Sequence, residues 1–159
     1  MASRIVPAAV ILLLTTVSFF QFPGHTILQS DTQIYLPILE HLWDPAVLTE
    51  DIVATRPHVT YTLYDEGALA LRALTGAGFE QILMAQQFVF RAFGIFGLFL
   101  LGTGLGLSRT MAFLMTAIVS LGATIVGPAV LTVEYEPVPR GFALPFVLLA
   151  LGLAAHRRW

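Results

Sequence analysis

Apolar positions fall into four blocks, separated by one long polar stretch and two short ones. Residues 5–22 run from Ile5 to Phe22 without a charge, close to the roughly 20 residues a helix needs to cross a bilayer core. Pro7 sits in the first turn of that block, where its missing N–H costs little. A cleaved signal peptide is the competing reading. The bulky Phe19-Phe20-Gln21-Phe22-Pro23 that closes the block offers no small-residue cleavage site. The second block spans 88–107. Ser108-Arg109 makes a tight turn into the third, 111–133, where Gly127-Pro128 predicts a kink. The fourth reaches spanning length over 139–155 if its helix starts at Pro139. Gly102 and Gly106 form a small-xxx-small pair suited to close helix packing, within the chain or with a helix partner. The Gly102-x-Gly104-x-Gly106 series lacks the spacing and the preceding strand of a nucleotide-binding loop.

The polar stretch, 23–80, is patterned. Ser30-x-x-Gln33 reads as a capping box. It opens an amphipathic helix with Ile34, Leu36, Ile38, Leu39, Leu42 and Trp43 on one side and a kink at Pro37. Asp44-Pro45 starts another turn, and Arg56-Pro57-His58 breaks the chain. Thr60 to Thr75 is helical again, closed by Gly76. Glu50-Asp51 and Asp65-Glu66 suit helix N-termini. Tyr35, Trp43, Tyr61 and Tyr64 suit a membrane–water boundary, so this segment is expected to lie on the membrane as two or three interfacial helices.

Composition sharpens the class. Charged residues make up 11% of the chain and hydrophobic ones 57%, where a soluble domain has about 25% charged. The expected fold is an all-α integral membrane protein with four transmembrane helices and a large first outer loop. The chain has no cysteine, which excludes thiolate chemistry, and no lysine. Its scattered arginines give no basic patch for nucleic acid. Arg4, Arg109, Arg157 and Arg158 fall on one side of four alternating spans, which places both termini in the cytoplasm. All ten acidic residues lie between Asp31 and Glu80 or at Glu134 and Glu136, and both stretches then share the outer face.

Candidate chemistry follows from that shared face. Asp31 comes directly after the first span, and Glu134-Tyr135-Glu136 directly after the third. Carboxylates at a membrane boundary can take a proton from an acceptor hydroxyl or hold a hard divalent cation. In extended backbone Glu134 and Glu136 point the same way, as joint metal ligation needs. Arg91, one turn after Gln87, suits a phosphate or a headgroup anchor. Arg140, in Pro137-Val138-Pro139-Arg140, suits a phosphate or either glutamate. The widely separated His25, His41 and His58 show no recognised zinc spacing.

A first span, an acidic residue right after it, juxtamembrane helices in a large outer loop and the Glu134-x-Glu136 pair before the fourth span together resemble the GT-C membrane glycosyltransferases. These include protein mannosyltransferases, aminoarabinose transferases and oligosaccharyltransferases. The resemblance implies a polyprenyl-phosphate sugar donor and Asp31 as catalytic base. It implies Glu134 and Glu136 as metal or acceptor-site acids, with a divalent cation the only cofactor in view. That family's module has about seven or more spans, so the chain is expected to be its N-terminal portion. The rival reading is a non-catalytic four-span scaffold whose acidic outer loop contacts a partner. A transporter is disfavoured because no span carries an acid at mid-depth.

Overall fold

The computed structural model describes residues 2–21, 31–55, 62–121, 124–125, 130–131 and 133–156. The fold is helical, with one pair of two-residue strands. Four apolar helices, α1 (Ala2–Phe20), α5 (Phe79–Gly104), α6 (Arg109–Ser120) and α7 (Pro139–Ala155), form a bundle. Three further helices, α2 (Thr32–Trp43), α3 (Ile52–Thr55) and α4 (Leu63–Thr75), sit at one end of it.

At that end α1 and α6 finish and α7 begins. Gln21 donates to the carbonyl of Leu121 at 3.4 Å, and the Arg91 guanidinium of α5 bonds the carbonyl of Ser18. At the opposite end the last turn of α5 meets the close of α7, where Thr103 bonds His156 at 3.0 Å. The first third of α5 projects beyond the bundle. It packs with α2 and α4 in a core of Leu39, Tyr64, Ala68, Phe79, Ile82 and Leu83, which Phe142 of α7 joins.

The helices expected at the membrane boundary pack on one another and on α5. Tyr64 is buried and Tyr35 half-buried, their rings edge-on at 5.7 Å, whereas Trp43 stays 44% exposed. Arg72 ties the layer together, bonding Glu40 at 3.0 Å with its guanidinium over the rings of Phe79 and Trp43. Local signals set the ends of these helices. Thr62 and Asp65 close a capping box at the start of α4, and Gly76 ends it in the left-handed conformation at φ 70°. Asp51 accepts from Val53 and Ala54 to start α3. Ser30, Tyr61, His25, His58 and the Gly127-Pro128 step lie outside the described residues.

The helix bounds depart from the hydropathy blocks in two places. α5 begins at Phe79 rather than 88, because Phe79, Ile82 and Leu83 have a core to enter and the polar residues between them do not break the helix. The third block is not one helix. α6 stops at Ser120, and Thr124–Ile125 then pairs antiparallel with Val130–Leu131. The β-branched Thr124, Ile125 and Val130 favour extended backbone over a continued helix. Among the described residues one helix, α5, is long and apolar enough to cross a membrane by length and composition. α6, at 12 residues, spans only about 18 Å.

The tightest packing is between α5 and α7, and glycine makes it. A Cβ on Gly97 would come within 2.5 Å of the Leu148 carbonyl carbon, and one on Gly152 would strike the Gly97 carbonyl. Gly102 packs on Ala112 of α6, whereas Gly106 faces open space and ends α5 at φ 91°. The packing pair read as Gly102 and Gly106 is therefore divided between a contact and a turn. Gly97→Ala is expected to lower unfolding free energy by about 1–3 kcal/mol. The check is thermal unfolding in detergent, with Gly78→Ala, which meets nothing within 4 Å, as the unaffected control.

Candidate functional site

The acidic residues from the two distant segments meet where α7 begins. Val138 caps that helix with Pro139 in its first turn. The preceding loop folds back tightly: Val138 donates to the carbonyl of Glu136 at 2.9 Å and Gly141 to that of Val138 at 2.8 Å. A Cβ on Gly141 would press on Glu134 Cβ at 3.1 Å, so glycine lets this loop lie against the helix. Glu134 and Glu136 are thereby buried beside the positive end of α7, which favours carboxylates.

Arg140 joins the segments. Its Nε donates to Glu134 Oε1 at 2.7 Å and its Nη1 to Asp31 Oδ2 at 2.8 Å. The two arms differ in environment. The Glu134 side chain is 2% exposed and that of Asp31 38%. The inner arm fixes the guanidinium, and the outer arm is open to solvent. Glu136 lies one step deeper. Its Oε2 accepts from the backbone N–H of Thr32 at 3.3 Å, and its Oε1 has no hydrogen-bond partner. Asp31, Glu134, Glu136 and Arg140 thus form one cluster from residues more than 100 positions apart.

Arg91 has a different place from the phosphate site the sequence suggested. Its side chain is buried at 4% exposure. It donates to the Ser18 carbonyl at 2.6 Å and to the Glu134 carbonyl, and stacks over Phe19. Gln87, one turn earlier on the same face, donates to that same Glu134 carbonyl at 3.2 Å. With its donors on backbone carbonyls, Arg91 fixes the end of α1 and the backbone of Glu134. A pocket of about 10 Å³ beside Gln87, Arg91 and Glu134 has room for about one water. Arg91→Met is expected to lower stability by about 2–4 kcal/mol as two charge-assisted bonds are lost. Arg91→Lys should recover part of this, since one ammonium has only a point charge where the guanidinium forks. Thermal unfolding of the two variants checks it.

The joint metal site read into Glu134 and Glu136 takes another form. Glu134 is spent on Arg140 and Glu136 on Thr32, and among the described residues no three histidine or acidic side chains group as metal ligands. His41 instead bonds the carbonyl of Val47 at 2.7 Å. Three supporting groups were not assigned to the cluster from the sequence. Thr32 donates to Glu136 Oε2 from its backbone N–H at 3.3 Å and from its hydroxyl at 3.5 Å, and the backbone donor is one that no residue type announces. Tyr64 donates to the buried Pro137 carbonyl at 2.9 Å. Burial, with Asp65 and Tyr35 adding to it, pushes the Tyr64 pKa up and keeps it a donor. Gln87 carried a signal, an amide in an apolar helix four residues before a cation.

Beside the cluster, Arg140 also lines an apolar groove of about 530 Å³ with Tyr64, Phe90, Phe142 and Phe146. The cluster therefore offers a half-exposed carboxylate, a cation held in place from behind and an adjoining hydrocarbon surface. No family model matches the chain, and no curated protein or solved structure matches it either.

Proposed function

We propose that the chain forms the outer-face site of a membrane glycosyltransferase resembling the GT-C family. Four membrane-crossing segments would keep both termini in the cytoplasm, with α2–α4 capping the outer end. The observation that carries this reading is the convergence of Asp31 and Glu134 on Arg140, with Glu136 bonded to Thr32 beside Asp31. The outward faces support the membrane setting. Leu12 and Leu13 of α1, Phe93 of α5, Leu114 and Ile118 of α6 and Val147 of α7 are exposed, whereas Thr15, Ser18, Thr116 and Ser120 point inward. Thr15 and Thr116 satisfy their hydroxyls on the carbonyl four residues back, at 2.8 and 2.7 Å.

In the proposed reaction the hydrocarbon of a polyprenyl-phosphate sugar lies along the groove beside Phe90 and Phe146. Its phosphate takes the outer arm of Arg140 from Asp31, while Glu134 keeps the guanidinium in place. The released Asp31 carboxylate accepts the proton of an acceptor hydroxyl as that oxygen bonds the anomeric carbon. The bond from that carbon to the phosphate oxygen breaks, and the lipid phosphate leaves on Arg140. The test is transfer from a polyprenyl-phosphate sugar by the purified protein and by its Asp31→Asn variant. Undiminished transfer in the variant removes Asp31 from the reaction.

A non-catalytic scaffold is the second reading, and the closed state of both Arg140 arms favours it. There the cluster only locks the α1–α2 junction to α7. No sugar transfer by a stably folded wild-type protein supports that alternative.

A further inference from the structure

Tyr64 belongs to two structures at once. Its ring lines the apolar groove of about 530 Å³ together with Phe90, Phe142 and Phe146. That volume is within the roughly 300–1,000 Å³ of pockets that hold small molecules. Its hydroxyl donates to the carbonyl of Pro137 at 2.9 Å, inside the acidic loop. The residue is 6% exposed.

Both ends of this link are stiff. Tyr64 lies between Thr62 and Asp65 in the capping box of α4, where the Thr62 N–H donates to Asp65 Oδ2 at 3.2 Å. That bond fixes the backbone from which the ring projects. The ring is wedged between Tyr35 and Phe142, with centroids 5.7 and 5.0 Å away. A rigid ring carries its hydroxyl with it, so the ring's position sets the donor's. On the loop side the rings of Pro137 and Pro139 lock φ on either side of Val138. A hold on the Pro137 carbonyl therefore passes back to Glu136 and forward to Arg140. A buried carbonyl left without its donor costs the desolvation of that group.

We propose that Tyr64 is a positioning residue that couples hydrocarbon in the groove to the loop carrying Glu134 and Glu136 and to Arg140 beyond it. A chain lying against Phe90 and Phe146 restricts the Tyr64 ring. The hydroxyl then stays on Pro137, and the loop opens less often. By linkage the closed loop favours the bound chain to the same degree. The inference rests on the groove taking the donor's hydrocarbon, as proposed above, and adds the means by which that binding sets the acidic cluster.

The test is amide hydrogen exchange of the purified full chain in detergent, with and without a polyprenol. A polyprenol has the hydrocarbon and no phosphate, so Arg140 is not engaged. In the wild type it is expected to slow exchange over 142–146 on the groove wall and at Glu136 and Val138 in the loop. Tyr64→Phe keeps the ring and deletes the donor. Without polyprenol its loop amides should exchange about fivefold faster, the weight of one hydrogen bond. With polyprenol the slowing should persist on the groove wall and vanish from the loop. Amides around Gly152 should match in the two proteins, which a general loosening would not allow. Slowing on the wall alone in the wild type, or loop slowing that survives Tyr64→Phe, overturns the positioning role and leaves the groove standing as the donor site. No slowing at either place in the wild type overturns the groove as the donor site, and this coupling with it.

Discussion

Asp31→Asn is expected to cost about 10²–10⁴ in kcat for sugar transfer, the usual contribution of a general base. Its KM for the lipid-phosphate donor should stay level or fall. The reason lies in the outer arm of Arg140, which Asp31 occupies at 2.8 Å. In the proposed reaction a donor phosphate displaces that carboxylate to bind. Asparagine is neutral and competes less, so binding eases while proton acceptance is lost. A residue that merely braced the fold would change both parameters through stability and would not separate them. Asp31→Glu keeps the carboxylate and should restore part of kcat. Stability should hardly change, because an exposed ion pair contributes about 0–1 kcal/mol.

Arg140→Gln is expected to behave in the opposite way, lowering stability by about 3–5 kcal/mol, the usual cost of breaking a buried ion pair from one side. The deciding partner is Glu134, whose side chain is 2% exposed and bonds Arg140 Nε at 2.7 Å. Without the guanidinium that carboxylate is buried beside Glu136, a second buried acid. The double variant Arg140→Gln with Glu134→Gln removes both charges and should recover much of the loss. Thermal unfolding in detergent measures all three proteins. If the two single variants at Asp31 and Arg140 cost the same, the two arms are not the unequal pair described here.

Hydropathy made the bundle legible, because an uncharged run of spanning length has few other uses. It placed α7 over 139–155, and the positions of Gly76 and Asp65 marked the ends of α4. It failed over 121–133, since an apolar block reads alike whether it continues a helix or pairs as strands. It also missed the start of α5, where Glu80, Gln81, Gln86 and Gln87 dilute a helix that is nonetheless packed. The cluster of Asp31, Glu134, Glu136 and Arg140 was legible because span counting puts both acidic segments on one face. The role of Arg91 was not, because its partners are backbone carbonyls, which every residue type carries. The packing glycines were obscured for a related reason. Gly97 and Gly152 serve contacts between distant helices, and spacing within one helix favoured Gly102 and Gly106 instead.

Two segments more than 100 residues apart meet in one cluster, which the proposed topology sets on the outer face. The chain has no cysteine, so paired cysteines report on it cleanly. Gln33 and Tyr135 are exposed neighbours of the bonded pair Thr32 and Glu136. The measurement is bridging of Gln33→Cys with Tyr135→Cys by a short membrane-impermeant bis-thiol reagent, applied from outside to intact cells. Efficient bridging within a single chain is expected. If each cysteine alone reacts from outside but the pair never bridges, or if either reacts only after the membrane is opened, the shared outer site is contradicted.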